Sequence, residues 1–115
     1  MRRLQEWPAG SSAERELLEQ CRDTVRELVP GAEVILYGSR ARGDAGPESD
    51  YDLLILVDRP VDWQLEDRIR RHLYHFELES GAVLTVNAYS QADWSSPLYH
   101  AMPFHRNVEQ DGIVL

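Results

Sequence analysis

Four residues near the middle of the chain have side chains and spacing suited to holding phosphate groups. Gly38 and Ser39 follow an apolar run, where a glycine lets the backbone come close to a ligand. The serine hydroxyl and the free amides of the turn can bind phosphate oxygens. Arg40 and Arg42 add positive charge beside the same turn, where a polyphosphate needs it.

Two aspartates, Asp50 and Asp52, follow Ser39 after ten intervening residues. Side chains two positions apart in an extended strand project from the same face. Two neighbouring carboxylates repel unless a cation neutralises them, and hard divalent cations prefer oxygen ligands. The pair therefore predicts a Mg²⁺ or Mn²⁺ site of the kind that assists transfer of a nucleotidyl group.

The elements that position these residues are predicted from hydrophobic spacing and from turn-forming residues. Ser11 and Glu14 have the spacing of a capping box, which marks the start of a helix. The expected elements are a helix between Ser11 and Pro30, a strand over 32–37, a helical turn over 40–42, a strand over 50–57, a helix between Asp62 and Gly81, a strand over 82–89, a short helix near 104–110 and a last edge strand over 113–115.

This order of elements predicts an α/β or α+β fold, with a small mixed β-sheet covered by helices. The continuous apolar run in the strand over 32–37 indicates that this strand is covered on both faces. A chain of 115 residues without a dividing linker predicts a single domain over 1–115. Pro8 and Gly10 precede the first helix, so we expect residues 1–10 to form a flexible arm.

Composition limits the classes of function and partner. The formal net charge of -8 argues against long nucleic acid as a partner, because surfaces that bind it are usually basic. No recognition-helix motif supports a DNA-binding regulator. A single cysteine allows no internal disulfide, and no apolar run is long enough for a membrane span. We therefore expect a cytoplasmic protein without membrane contact.

Two segments together resemble a known family. The run Gly-Ser-Arg-Ala-Arg-Gly over 38–43, followed by Ser-Asp-Tyr-Asp-Leu over 49–53, is similar to the minimal nucleotidyltransferases of the DNA polymerase β superfamily. The match centres on residues 34–57, and the order of elements extends it with less specificity. The resemblance implies the nucleotidyltransferase fold and an enzyme that passes a nucleoside monophosphate from a triphosphate to a hydroxyl acceptor.

The resemblance also implies site residues, cofactors and partners. The implied phosphate-binding residues are Gly38, Ser39, Arg40 and Arg42, and the implied catalytic metal ligands are Asp50 and Asp52. The implied cofactor is Mg²⁺ or Mn²⁺, and the implied donor is ATP, which would transfer AMP. Many similar minimal nucleotidyltransferases are antitoxins, so a HEPN-domain toxin or another helical protein is the implied partner and acceptor.

The sequence departs from the family at one position. Members of the family carry a third carboxylate on a later strand, commonly assigned to activating the attacking hydroxyl. The corresponding strand here offers Thr85 and Asn87, and neither is an acid. Two interpretations follow: an active nucleotidyltransferase, or a catalytically impaired module that binds nucleotide or a partner and acts as an antitoxin by forming a complex.

Overall fold

A computed structural model describes residues 1–115, which are organised around a five-stranded sheet. The strands are β1 (Arg2–Arg3), β2 (Glu33–Tyr37), β3 (Tyr51–Val57), β4 (Leu84–Ser90) and β5 (Ile113–Val114). Their spatial order is β1-β5-β2-β3-β4. β2 is antiparallel to β3 and β5, whereas β3 is parallel to β4 and β1 is parallel to β5. The predicted small mixed sheet is confirmed.

Two of the helices begin and end at the residues that the sequence indicated. Ser11 Oγ accepts from the Glu14 amide at 3.1 Å, and Glu14 accepts from the Ser11 amide at 3.0 Å. Asp62 accepts from the Leu65 amide at 2.9 Å, and Gly81 ends the same helix in the left-handed region. The helices are α1 (Ser12–Leu28), α2 (Ser39–Arg42), α3 (Trp63–Ser80), α4 (Gln91–Trp94), α5 (Pro97–His100) and α6 (Pro103–Asp111).

Helices cover both faces of the sheet. A core of 23 buried residues lies between one face and the apolar sides of α1 and α3. A smaller core on the other face joins the sheet to α4 and α6, and it contains Ile35, Leu54, Leu56, Trp94 and Val108. Val34, Ile35 and Leu36 are all fully buried, so β2 is covered on both faces as predicted. No helix is both long enough and apolar enough to cross a membrane.

The first ten residues are packed, so the flexible arm expected for 1–10 is wrong. Trp7 is only 1% exposed, and the guanidinium of Arg15 donates hydrogen bonds to the carbonyls of Leu4 and Trp7. A Cβ on Gly10 would lie 2.2 Å from the Trp7 ring, so the glycine lets the indole pack against the backbone. The glycine that suggested a loose segment is therefore required for close packing.

The C-terminal region also differs in detail from the expectation. Residues 91–102 contain α4 and α5, which are capped by Ser90 and Ser96. In both cases the serine hydroxyl accepts a backbone hydrogen bond, and these short caps were not recognised in the sequence. β5 forms as predicted but is not at the edge, because β1 pairs along its outer side.

Candidate active site

A row of side chains crosses three strands at one end of the sheet. Tyr37 on β2 lies opposite Asp52 on β3, and Asp52 lies opposite Thr85 on β4. The buried residues under α4 and α6 lie on the same face of the sheet but do not extend to this end. Asp52 and Thr85 are therefore only half-buried. The register therefore brings together side chains far apart in the sequence at a partly open surface.

Gly38 allows Asp52 to approach the turn that follows β2. Gly38 has a φ of 77°, and a Cβ at this position would lie 2.3 Å from Asp52 Oδ2. Both the backbone conformation and the close approach require glycine. Ser39 follows directly as the first residue of α2. The predicted neighbours Gly38, Ser39 and Asp52 are thus brought together.

The second aspartate occupies a more open position. Asp50 lies immediately before β3 and is exposed, whereas Tyr51 between the two aspartates is only 6% exposed and points into the large core. Alternation continued from β3 would put the Asp50 side chain on the same side as Asp52, as the sequence predicts. On the other side of Asp52, Thr85 Oγ1 donates a hydrogen bond of 2.6 Å to Oδ1.

The two arginines that were expected to contact phosphate have different surroundings. The guanidinium of Arg40 donates to the carbonyls of Pro47 and Ser49, with N–O distances of 2.9 to 3.2 Å. Its hydrogen-bonding groups are therefore engaged with the loop before Asp50, which differs from the expected phosphate contact. Arg42 is more exposed, forms a 3.1 Å ion pair with Asp44, and remains a predicted phosphate ligand.

A small cavity of about 220 Å³ adjoins the turn. It is lined by Tyr37, Gly38, Arg42, Phe104, Asn107, Val108 and Asp111. No sequence pattern links Asn107 and Asp111 to this turn, because their helix follows it by more than sixty positions. A larger groove of about 590 Å³ lies between α3 and β4 and contains none of the six predicted site residues.

Tyr37 and Asn87 form a second polar contact across the sheet. Asn87 Nδ2 donates to the Tyr37 hydroxyl at 2.8 Å. The bond spans β3, on which Asp52 pairs with Tyr37 and the buried Leu54 pairs with Asn87. Burial raises the pKa of Tyr37, and the Asp52 charge acts in the same direction, while the bond from Asn87 opposes them. Tyr37 therefore remains a neutral phenol at physiological pH, and sequence inspection did not identify it.

The acidic residues suit a hard divalent cation that is shared with a substrate. No group of three or more His, Cys, Asp or Glu side chains could hold a metal by itself. Asp52 and Asp50 supply carboxylate oxygens, and Mg²⁺ is usually held by one or two carboxylates together with phosphates and water. The residues present therefore fit Mg²⁺ or Mn²⁺ arriving with a nucleotide.

Comparison with known proteins defines the class to which this site belongs. A family model described as a nucleotidyltransferase domain matches residues 18–112, a range that includes the Gly38–Ser39 turn and the three long strands β2, β3 and β4. The chain therefore belongs to the nucleotidyltransferase domain family and is a transferase-class enzyme.

Two relatives of this chain are named as protein adenylyltransferases. The chain is 37% identical over 82 residues to "Putative protein adenylyltransferase MJ0604" of Methanocaldococcus jannaschii, covering 71% of this chain and 75% of the relative. It is 39% identical over 46 residues to "Probable protein adenylyltransferase MntA" of Haemophilus influenzae. That second match spans only 40% of each chain, so it compares less than half of the relative.

Two solved structures share the fold. One is the crystal structure of a toxin-antitoxin with AMP-PNP, with a TM-score of 0.57 and 15% identity over 84% of this chain and 69% of that one. The other is described as "a putative nucleotidyltransferase from Sulfolobus solfataricus", with a TM-score of 0.54 and 19% identity over 86% and 76% of the two chains. At these identities the likeness establishes the nucleotidyltransferase fold.

Proposed function

We propose that this chain transfers AMP from magnesium-bound ATP to a hydroxyl group on a protein. The observation that carries the proposal is the contact between Asp52 and Gly38, with Thr85 fixing the other carboxylate oxygen. Asp50 and Asp52 are the proposed metal ligands, and Gly38 and Ser39 the proposed phosphate ligands. Arg42 is the proposed additional phosphate contact at the open side of the turn.

The reaction is a displacement at the α-phosphorus of ATP. The acceptor oxygen forms a bond to phosphorus, the bond to the bridging oxygen breaks, and pyrophosphate leaves with its electron pair. Bound Mg²⁺ supplies positive charge that stabilises the attacking and leaving oxygens. The hydroxyl proton passes to solvent or to a base on the acceptor, since position 85 holds a threonine.

The nature of the acceptor is supported by the relatives. Both are named protein adenylyltransferases, and a structural neighbour is a toxin-antitoxin with AMP-PNP. We therefore propose adenine as the base and a hydroxyl of a partner toxin as the acceptor. A helical HEPN-domain toxin is the proposed partner. Long nucleic acid is not a partner in this proposal.

The test is transfer of label from α-³²P-ATP to protein. The wild type is incubated with Mg²⁺ and the product of the adjacent gene, and Asp50→Ala/Asp52→Ala is compared with Asp58→Ala. Asp58 is an exposed acid at the opposite end of β3, so it controls for loss of charge. We expect the double variant to lose at least about a hundredfold in rate, because metal-held charge dominates such transfers. Undiminished labelling by the double variant would refute the assignment.

A second candidate function is a nucleotide- or partner-binding module without transfer. Thr85 favours it, because this uncharged residue lies directly opposite Asp52. The two functions are separated by measuring ATP binding and labelling in the same samples. Tight ATP binding and tight complex formation without any labelling of the partner would support the module and contradict the transferase.

A further inference from the structure

The loop between α2 and β3 carries Asp50 at its end. It spans residues 43–50 and is mostly exposed. Within it, the Ser49 amide donates to the Gly46 carbonyl at 3.1 Å, and Ser49 Oγ accepts from the Gly46 amide at 2.9 Å. These local bonds close a turn, but they do not attach the turn to the rest of the protein.

Arg40 makes that attachment. Its Nε and Nη2 donate to the Ser49 carbonyl at 3.1 and 2.9 Å, and Nη2 also donates to the Pro47 carbonyl at 3.2 Å. The Arg40 side chain is only 16% exposed, although the loop it holds is open to solvent. A planar guanidinium can bridge two carbonyls in fixed geometry, which a flexible ammonium cannot do.

The guanidinium is itself held from the other side by Glu14 and Tyr51. Arg40 Nη1 lies 3.6 Å from Glu14 Oε2, and its Cζ lies 4.4 Å from the centre of the Tyr51 ring. The Tyr51 hydroxyl donates to the same Glu14 oxygen at 2.8 Å. Glu14 is fixed in turn by the capping box with Ser11 at the start of α1. A continuous set of contacts therefore runs from α1 to the loop.

We infer that Arg40 is a positioning residue, which together with Glu14 and Tyr51 holds the Asp50 loop ready to bind the metal. This inference rests on the proposed function for the role of Asp50, and it assigns Arg40 no contact with phosphate. An exposed loop loses conformational entropy when a ligand orders it. Holding the loop beforehand removes part of that cost and strengthens metal binding.

The test compares Arg40→Lys with the wild type in three measurements. They are hydrogen exchange of the loop amides, the dissociation constant for Mn²⁺ alone, and the dissociation constant for ATP in EDTA. We expect at least about tenfold faster exchange over 46–50, because lysine keeps the charge but cannot bridge the carbonyls. We expect Mn²⁺ binding to weaken about tenfold and metal-free ATP binding to change less than about twofold.

Two further variants separate positioning from general destabilisation. Tyr51→Phe keeps the ring under the guanidinium but removes the bond to Glu14, so we expect the same changes at smaller size. Arg71→Lys is the matched control, because Arg71 is 73% exposed and forms a 3.1 Å pair with Asp67 on α3, away from the site. It should leave loop exchange and both dissociation constants unchanged.

The outcomes distinguish this inference from the proposed function. If wild-type protein binds Mn²⁺ and ATP, but Arg40→Lys weakens only metal-free ATP binding without altering loop exchange, Arg40 is a phosphate ligand and the inference is overturned. If the wild type binds neither ligand, separately or together as Mn²⁺–ATP, the proposed function fails, and loop exchange in Arg40→Lys still shows whether the guanidinium holds the loop.

Discussion

At the scale of single residues, neighbouring positions of one motif have separate physical tasks. Gly38 leaves space for a carboxylate, and Arg40 holds a loop. Arg42 is exposed beside the turn. The motif alone suggested that both arginines face phosphate, because spacing reveals charge but not the hydrogen bonds that a guanidinium makes. The surroundings of each side chain therefore decide which of the two arginines can contact phosphate.

Substitution of Gly38 tests the contact with Asp52. Gly38→Ala should reduce the free energy of unfolding by about 2–4 kcal/mol, because a strained φ is combined with a clash against the carboxylate. Gly81→Ala is the comparison, since Gly81 has a φ of 76° and a ψ of 0°, in the left-handed region, and no atom lies within 4 Å of a built Cβ. It should cost only about 1 kcal/mol.

Both values are measured by urea unfolding, alone and in an Asp52→Ala background. Removing the Asp52 carboxylate should reduce the cost of Gly38→Ala, because the clash is then relieved. The cost should stay above that of Gly81→Ala, since the backbone of Gly38, with a ψ of -159°, lies in a region that only glycine adopts readily. Equal costs for the two glycine substitutions in the wild-type background would mean that Asp52 does not press against the turn.

At the scale of secondary-structure elements, register decides the composition of the site. Parallel pairing of β3 with β4 sets Thr85 opposite Asp52 and Asn87 opposite Leu54. Side chains of β4 alternate between the two faces, and Leu84, Val86 and Ala88 are buried on one of them. Thr85 and Asn87 therefore face the site side of the sheet, and the expected place of a third acid holds a hydroxyl.

Replacement of Thr85 tests whether this place limits transfer. Thr85→Asp puts a carboxylate beside Asp52, so we expect Mg²⁺-dependent labelling to rise at least about tenfold, as general bases contribute. Without Mg²⁺ the two carboxylates repel, so the free energy of unfolding should fall by about 1 kcal/mol. Added Mg²⁺ should restore it. Thr85→Asn has similar size without charge and should show neither effect; equal behaviour of the two variants contradicts the prediction.

At the scale of the whole molecule, the N-terminal and C-terminal segments pair with each other in the sheet. β1 at the N-terminus pairs with β5 at the C-terminus, and Trp7 Nε1 donates to the carbonyl of Arg40 at 3.2 Å. The first residues thus contact the helical turn that follows Gly38. We infer that the N-terminal segment supports the site as well as the core.

Substitution of Trp7 tests how much this segment stabilises the fold. Trp7→Ala should lower the free energy of unfolding by about 3–5 kcal/mol, because a large buried side chain leaves a cavity. Trp63→Ala should change it by less than about 0.5 kcal/mol, since Trp63 is 71% exposed on α3. Urea unfolding followed by circular dichroism suits both variants, and a small effect of Trp7→Ala would restore the flexible arm as the better description.

Local chemistry made much of the molecule predictable from its sequence. Apolar periodicity, the Ser11 and Asp62 caps and the Gly81 stop located the long helices and the three long strands. The Gly-Ser turn and the Asp50 and Asp52 spacing predicted the candidate site, because strand alternation makes such pairs share a face. The short helices after β4 were missed because each depends on a single serine cap within few residues.

Only the tertiary structure decided the features that depend on contacts between distant parts of the chain. They are the packing of Trp7 against Gly10, the position of β5 inside the sheet edge, the hydrogen bonds of Arg40 to loop carbonyls and the place of Thr85 beside Asp52. Sequence patterns report which face of an element is buried and where the element ends. Register and long-range hydrogen bonds arise when the elements pack together, so no local pattern encodes them.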